Sequence, residues 1–425
     1  MALSSTSKPK KKKKKNNRAL RTIVVIVAIP VAVFALVLAA TPFSQVARGV
    51  MFGIVFWQDA SIDHIAVFPA NEIPTSSPSD LPRGLDDTTL SAFGGLDLRN
   101  YLLDQPGQDA LTLRSSDELD QFLTSGETSA FLVVRDGVLV HEWYEEGRSP
   151  DELHNSFSVS KSILSTTIGM AVEEGYISSI NDPITDYVPE LLERDPRFGD
   201  ITLRHLITMS SGIAYDEEAR SPFADQVNAY FGTDLRRSAM NNPTVLEEPG
   251  VTWLYNNYNP QLLGMALERA TGMTISEYTS ESWWGPMGAE ADASWSVDSF
   301  YNRFEQSAHG FNARPRDLAR FGLMFANDGM VDGVQVISPE WVQKATAPTN
   351  VSIGRNDFLE QNYNYFWWVL PDGRFWAQGK LGQYVFVSPE DNLVIVRMGR
   401  DESADWPRLL ADLSDQIVTG GIQGR

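Results

Sequence analysis

Ser158-Val159-Ser160-Lys161-Ser162-Ile163-Leu164-Ser165-Thr166-Thr167-Ile168-Gly169-Met170-Ala171-Val172-Glu173-Glu174, closed by Gly175, decides the reading of this chain. The stretch reads as a helix whose circumference is apolar or small nearly all round, which predicts burial. A serine and a lysine three apart lie one turn from each other on one face. At a helix start the serine also has its own free backbone N–H and the positive end of the dipole. Ser158 is thus a candidate nucleophile with half an oxyanion hole, and Lys161 its candidate base. Burial takes hydration from the lysine and lowers its pKa, and a neutral lysine is a usable base. The plainer alternative is a helix cap at Ser158 and a solvated Lys161. The pattern alone is weak, since Ser5–Lys8 and Ser7–Lys10 repeat it in a basic tail.

Composition bounds the rest. The chain has 425 residues, 43% of them hydrophobic, enough for a large core. There is no cysteine, which excludes a disulfide framework, a thiol nucleophile and a thiolate metal site. Five histidines, none in a paired ligand spacing, argue against a metal, and no cofactor is implied.

Charge is divided unevenly. Residues 1–21 hold nine positive charges (Lys8, Lys10 to Lys15, Arg18, Arg21) and no acid, so a net charge of −20 leaves −29 for the remainder. Thr22 to Ala40 then runs without a charge and is rich in Val, Ile, Leu and Ala. It is long enough to cross a hydrocarbon core of about 30 Å. The flanking basic run predicts a cytoplasmic N-terminus and an outer domain at the plasma membrane. An uncleaved anchor is favoured over a cleaved signal peptide because the span exceeds a usual h-region. The acidic remainder does not suggest a nucleic-acid partner.

The expected organisation is a basic tail (1–21), a transmembrane signal anchor (22–40), a juxtamembrane or linker region (41–112) and a hydrolase domain (113–420). Within the third part, Pro69 to Gly84 reads as linker or extended loop. Phe131 to Tyr144 reads as a hairpin turning at Asp136-Gly137. Helical signals follow to about residue 350, among them a helix opened by Pro315-Arg316-Asp317. Strands return at 365–370, 374–378, 384–388 and 393–398, and a last helix covers about 405–418. Strands at both ends with helices between predict an α/β (α+β) fold, one sheet built from both termini with a helical insertion.

Two further segments carry chemistry. Tyr255-Asn256-Asn257 follows the Pro249-Gly250 turn, and Tyr255 and Asn257, two apart, can point the same way. A phenol can relay protons and an amide can fix a carbonyl, though a turn-forming Asn pair beside a packed Tyr is the commoner fate. Ala377-Gln378-Gly379-Lys380-Leu381-Gly382-Gln383 precedes a strand, and its two glycines permit close backbone approach, or make an ordinary hairpin.

In this order the three segments resemble the serine β-lactamase and penicillin-binding-protein superfamily. Tyr-x-Asn in place of Ser-x-Asn resembles its class C branch. Thr202-Leu203-Arg204-His205-Leu206-Ile207-Thr208-Met209-Ser210-Ser211-Gly212-Ile213 and Gly310-Phe311-Asn312-Ala313-Arg314-Pro315-Arg316-Asp317-Leu318-Ala319-Arg320-Phe321-Gly322 resemble two further family segments. Gly379-x-x-Gly382-Gln383 is similar to the 6-aminohexanoate-dimer hydrolase and esterase-like group. The resemblance spans about 115–420. It implies a β-lactamase/transpeptidase-like fold and a serine hydrolase acting on a small amide or ester, with Ser158, Lys161 and Tyr255 catalytic. It also implies substrate contacts from Asn257 and Gly379, a second backbone oxyanion donor at Lys380, and Asn257 orienting the Lys161 amine. One departure stands out: Ala377-Gln378-Gly379 replaces the family's Lys-Thr-Gly or His-x-Gly, so the cation for a substrate carboxylate is missing. Peptidoglycan carboxypeptidase or β-lactamase activity is the alternative within enzymes, and a catalytically silent, membrane-tethered binding protein the alternative of another class. His205 and His309 read as structural rather than as triad members, and Asp317 and Arg320 as capping and bracing a helix. Substrate identity and oligomeric state stay open.

Overall fold

The computed structural model describes residues 65, 68–103, 113–217, 224–349, 362–402 and 404–419. Thirteen strands are named in chain order: β1 (Ala70–Ile73), β2 (Thr128–Arg135), β3 (Val138–Tyr144), β4 (His154–Asn155), β5 (Ala293–Ser296), β6 (Phe311–Ala313), β7 (Met330–Val331), β8 (Val334–Gln335), β9 (Asn362–Asn364), β10 (Trp367–Val369), β11 (Phe375–Gly379), β12 (Gln383–Ser388) and β13 (Leu393–Gly399).

The main sheet has seven strands in the order β3-β2-β13-β12-β11-β10-β9, antiparallel throughout. Its centre joins the two ends of the domain, because β2 pairs with β13. Asp136 and Gly137 both take positive φ (52° and 75°), the two-residue turn that matches the twist of the hairpin β2–β3. Every residue of β13 is buried, and all of β2 but its last. Strands with no polar face need cover on both sides. The helix Pro315–Ala326 packs on β2, β12 and β13. A Cβ at Gly322 would sit 2.6 Å from Val394, so glycine permits this close approach. Arg135 and Arg374 reach backbone carbonyls of the C-terminal helix Trp406–Thr419, which packs against the helix Thr88–Gly94.

The helical insertion lies between β4 and β5. A second sheet, β1-β5-β6-β4, closes it off, and β7-β8 is a separate short hairpin. The expected helix over 158–174 spans Val159–Glu173, with Gly175 at φ 78° after it. The expected strand over 365–370 is shorter. Tyr365 and Phe366 take positive φ and form the turn between β9 and β10, against the β preference of aromatic residues.

The stretch 69–84 is more than linker. Residues 70–73 form β1 on β5, and Pro82 to Asp86 run along the edge of β3 through Leu139 N→Pro82 O, Gly84 N→Leu139 O and Asp86 N→Val140 O. Such short edge segments take their hydrogen bonds from a neighbour and carry no apolar period of their own. Among the described residues no helix is long and apolar enough to cross a membrane, and the expected span at 22–40 lies outside them.

Candidate active site

The segment that carries Ser158 begins as an edge. β4 pairs with β6, and Ser156 N and Oγ both donate to Phe311 O (3.0 and 2.8 Å). Phe157 then takes φ 47°, a left-handed conformation that costs a non-glycine residue roughly 1–2 kcal/mol. Its N–H donates to Asn155 Oδ1 (2.7 Å), which supports the turn. The turn throws Ser158 outward at the helix start. From His154 to Ala171 every residue is buried except Ser158, which is half-exposed. Ser158 makes no side-chain cap bond, so its hydroxyl is not committed to the helix end. Ser160 performs the stapling instead: Oγ donates to Phe157 O (2.5 Å) and accepts from Phe311 N (2.9 Å).

Lys161 is fully buried. Its Nζ lies 3.0 Å from Ser158 Oγ and donates to Ala308 O at 2.8 Å. Burial lowers its pKa from 10.5 to about 7, with the Glu217 carboxylate pulling weakly the other way. In the neutral amine the lone pair is free to accept the Ser158 proton while one N–H remains on Ala308. The ring of Tyr255 has its centroid 4.7 Å from this nitrogen. Tyr255 is half-buried and rests against Trp253 and Tyr363, which with Trp368 form an aromatic wall. Trp283, Trp284, Trp367 and Trp376 are core residues, fully buried.

Asn257 differs from expectation in its contacts. Its Nδ2 donates to Tyr215 Oη (3.0 Å) and Gln226 Oε1 (2.8 Å), while the Lys161 amine takes the Ala308 carbonyl. Asn257 and Lys161 share no hydrogen bond, and Asn257 Oδ1 is buried without a partner among the described residues. A backbone carbonyl has no signature in sequence, which is why Ala308 was not foreseen. Tyr215, whose hydroxyl donates to Gln226 (2.5 Å), was missed because the loop before it has no period.

On the opposite side, β11 ends at Gly379. A Cβ there would sit 2.2 Å from Ser156 O and 3.1 Å from Phe157 Cβ, so only glycine brings this strand end against the nucleophile turn. The Lys380 side chain is exposed, and the residue opens the turn to β12. Among the described residues neither the Ser158 N–H nor the Lys380 N–H has an acceptor. Ala377 is fully buried, and the half-buried Gln378 accepts from Trp376 Nε1 (3.2 Å).

The remaining candidates are structural. His205 closes a capping box with Thr202, its Nδ1 accepting from Thr202 N at 3.2 Å. His309 is buried with its ring stacked on Tyr230, centroids 4.0 Å apart. Asp317 accepts the Glu290 N–H (2.6 Å), and burial raises its pKa to about 7. Arg320 bonds Asp332 at 2.9 Å. Among the described residues no three His, Asp or Glu side chains are arranged to hold a metal ion.

Residues 119–414 match the family model Beta-lactamase. The chain is 30% identical over 315 residues to the 6-aminohexanoate-dimer hydrolase of Paenarthrobacter ureafaciens, covering 70% of this chain and 78% of that one. In fold it is similar to a Bacillus anthracis protein provisionally named a 6-aminohexanoate-dimer hydrolase (TM-score 0.68, 23% identity, 86% of this chain and 94% of that one). It is similar too to a family VIII carboxylesterase (TM-score 0.55, 18% identity, 71% and 94%).

Proposed function

The chain belongs to the β-lactamase family of serine hydrolases, and from that premise we propose that it cleaves a small amide or ester through an acyl-enzyme on Ser158, outside a membrane to which residues 22–40 anchor it. One observation carries the reading. The only accessible residue of a buried helix start is a serine whose Oγ lies 3.0 Å from a buried lysine amine whose pKa burial lowers to about 7.

The chemistry runs as follows. Neutral Lys161 takes the Ser158 proton as Oγ bonds to the substrate carbonyl carbon. The oxyanion lies between the N–H groups of Ser158 and Lys380, donors that need no reorganisation as charge develops. Tyr255 passes a proton to the departing amine or alcohol, and the carbon–leaving-group bond breaks. Water, its proton drawn off through Tyr255 to Lys161, then attacks the acyl carbon; the carbon–Oγ bond breaks, the proton passes from Lys161 to Oγ to restore the Ser158 hydroxyl, and the carboxylic acid leaves. Asn257, held by Tyr215 and Gln226, orients the acyl side of the substrate.

Three features favour an ordinary amide or ester over a β-lactam. The family's cation is replaced by Ala377, whose side chain is buried. An aromatic wall flanks Tyr255. The relative from Paenarthrobacter ureafaciens is named for a dimer of an amino acid, which is not a β-lactam. The anchor rests on the charge-free run beside nine basic residues. The test is a panel of p-nitrophenyl esters, short linear amides and nitrocefin, given to the wild type and to Ser158→Ala. Turnover of an ester or amide by the wild type alone is expected. Equal turnover by Ser158→Ala would remove the nucleophile from the mechanism.

A further inference from the structure

The turn that carries the second oxyanion donor is held from behind by two side chains that never face the substrate. Gln383, fully buried at the start of β12, donates from Nε2 to Lys380 O (3.0 Å) and Gly399 O (2.7 Å), and its Oε1 accepts from Gly399 N (3.1 Å). It thereby bridges the turn to the end of β13, where the pairing with β2 slips. Arg397 is fully buried in β13, with no carboxylate on its guanidinium among the described residues. It donates to Gly382 O (2.7 Å), Asp401 O (3.2 Å), Gly126 O (2.7 Å) and Thr128 Oγ1 (3.1 Å), and stacks 3.9 Å from the centroid of Trp406.

Burying a charge against carbonyls, a hydroxyl and a ring is a poor device for stability, since an apolar side chain of similar volume commonly does as well or better. The surroundings have nevertheless been cleared for this one. An ideal Cβ at Gly382 would lie 1.7 Å from Arg397 Nη1, and one at Gly399 2.5 Å from it. Leu381, between the two clamped carbonyls, is held at φ 65°, a conformation leucine avoids. The carbonyls of Lys380 and Gly382 are therefore both fixed, and Gly379 is wedged against Ser156 O. The peptide plane that follows the Lys380 N–H is thus held through Lys380 O, and the plane after Gly382 through Gly382 O, before any substrate arrives.

We propose that Arg397 and Gln383 are positioning residues for acyl transfer, which by gripping the carbonyls of Gly382 and Lys380 keep the Lys380 N–H aimed at the oxyanion. The inference rests on the assignment of Lys380 N–H as an oxyanion donor made above. One oxyanion donor is worth roughly 10²–10³-fold in kcat, and a loosened one should lose part of that.

A double-mutant cycle tests it with the full chain and a p-nitrophenyl ester. Arg397→Lys keeps the charge but not the fork, and Lys380→Pro deletes the N–H itself. Folding of each variant is checked by circular dichroism and by stoichiometric labelling with a fluorophosphonate. We expect Arg397→Lys to lower kcat about 10- to 100-fold with KM little changed, and to lower it by less than about 3-fold further when placed on Lys380→Pro. Should Arg397→Lys not fold, Gln383→Leu takes its place in the same cycle with the same expectation. A folded Arg397→Lys or Gln383→Leu with wild-type kcat would overturn the positioning role, and so would an equal loss in both backgrounds. Wild-type kcat in Lys380→Pro would instead remove the oxyanion assignment, and the proposal with it.

Discussion

Lys161→Arg is the substitution on which the proposed chemistry is most exposed. Burial brings the Lys161 pKa from 10.5 to about 7. At pH 7 a lysine of ordinary pKa would be neutral in about one molecule in 3,000, and a pKa lowered to about 7 raises that fraction by orders of magnitude. The fold therefore supplies about three powers of ten in available base. Arginine keeps the charge and most of the length but does not give up its proton at usable pH. Lys161→Arg should thus slow acylation by at least about 10³-fold, as removing a base does elsewhere. The assay is the p-nitrophenol burst of an ester in stopped flow from pH 5 to 9. In the wild type the acylation rate should rise with pH and level off above about 7, and that limb should vanish in the arginine variant. An arginine variant with more than a tenth of the wild-type rate, or a wild-type limb near pH 10, would refute the neutral-base argument. The same shift has a stability sign. The folded pKa lies below the unfolded one, so the unfolded chain binds the extra proton between about pH 7 and 10.5. Over that window this residue makes stability rise with pH, and below it the full cost of burying the ammonium is present. Lys161→Met should remove that slope in denaturant melts, though it ends the activity.

Gly379→Ala would put a Cβ 2.2 Å from the Ser156 carbonyl oxygen, backbone against backbone. A shift of about 1 Å at the site should cost about 10²-fold in kcat, read by steady-state kinetics, and overpacking about 1–3 kcal/mol in chemical denaturation. Penicillins and cephalosporins should be poor substrates beside small esters. Losing a charge-assisted hydrogen bond at position 377 is worth roughly 1.5–3 kcal/mol, so a nitrocefin specificity constant equal to that of a true β-lactamase would contradict the substrate reading. Protease added to spheroplasts should digest the domain after residue 68 and spare the lysine run at 10–15, and complete protection of the domain would reverse the proposed topology.

How much the sequence revealed depended on whether a feature had a period or a fixed spacing. The Ser158 helix was legible because a helix apolar or small nearly all round with one lysine is anomalous. The hairpin at Asp136-Gly137 and the strands β11 to β13 were legible from turn residues between β-rich runs. Gly379 was legible as a close approach, although not what it approaches, since Ser156 lies 223 positions away. β1 and the edge segment 82–86 were illegible because their partners supply the hydrogen bonds. The Ala308 carbonyl was illegible because any residue type presents one. Asn257 was singled out, but the partners of its amide donors were not: Tyr215 and Gln226 come from a loop and a helix whose sequences give no sign of converging on it. Arg397 was invisible for a different reason, since an arginine inside a β-rich run reads as an outward-facing charge until its strand is known to be covered on both faces.

The most direct measurement is the site of covalent modification. Full-length protein treated with a fluorophosphonate should gain one phosphonyl group per chain, and peptide mapping by mass spectrometry should put it on Ser158, the accessible residue 3.0 Å from Lys161 Nζ. Its rate of formation should follow the same rise through about pH 7 as acylation. Ser158→Ala should take up no label while melting as the wild type does. An adduct on Ser160, Ser156 or any other serine, or none on a folded chain that turns over esters, would contradict the account.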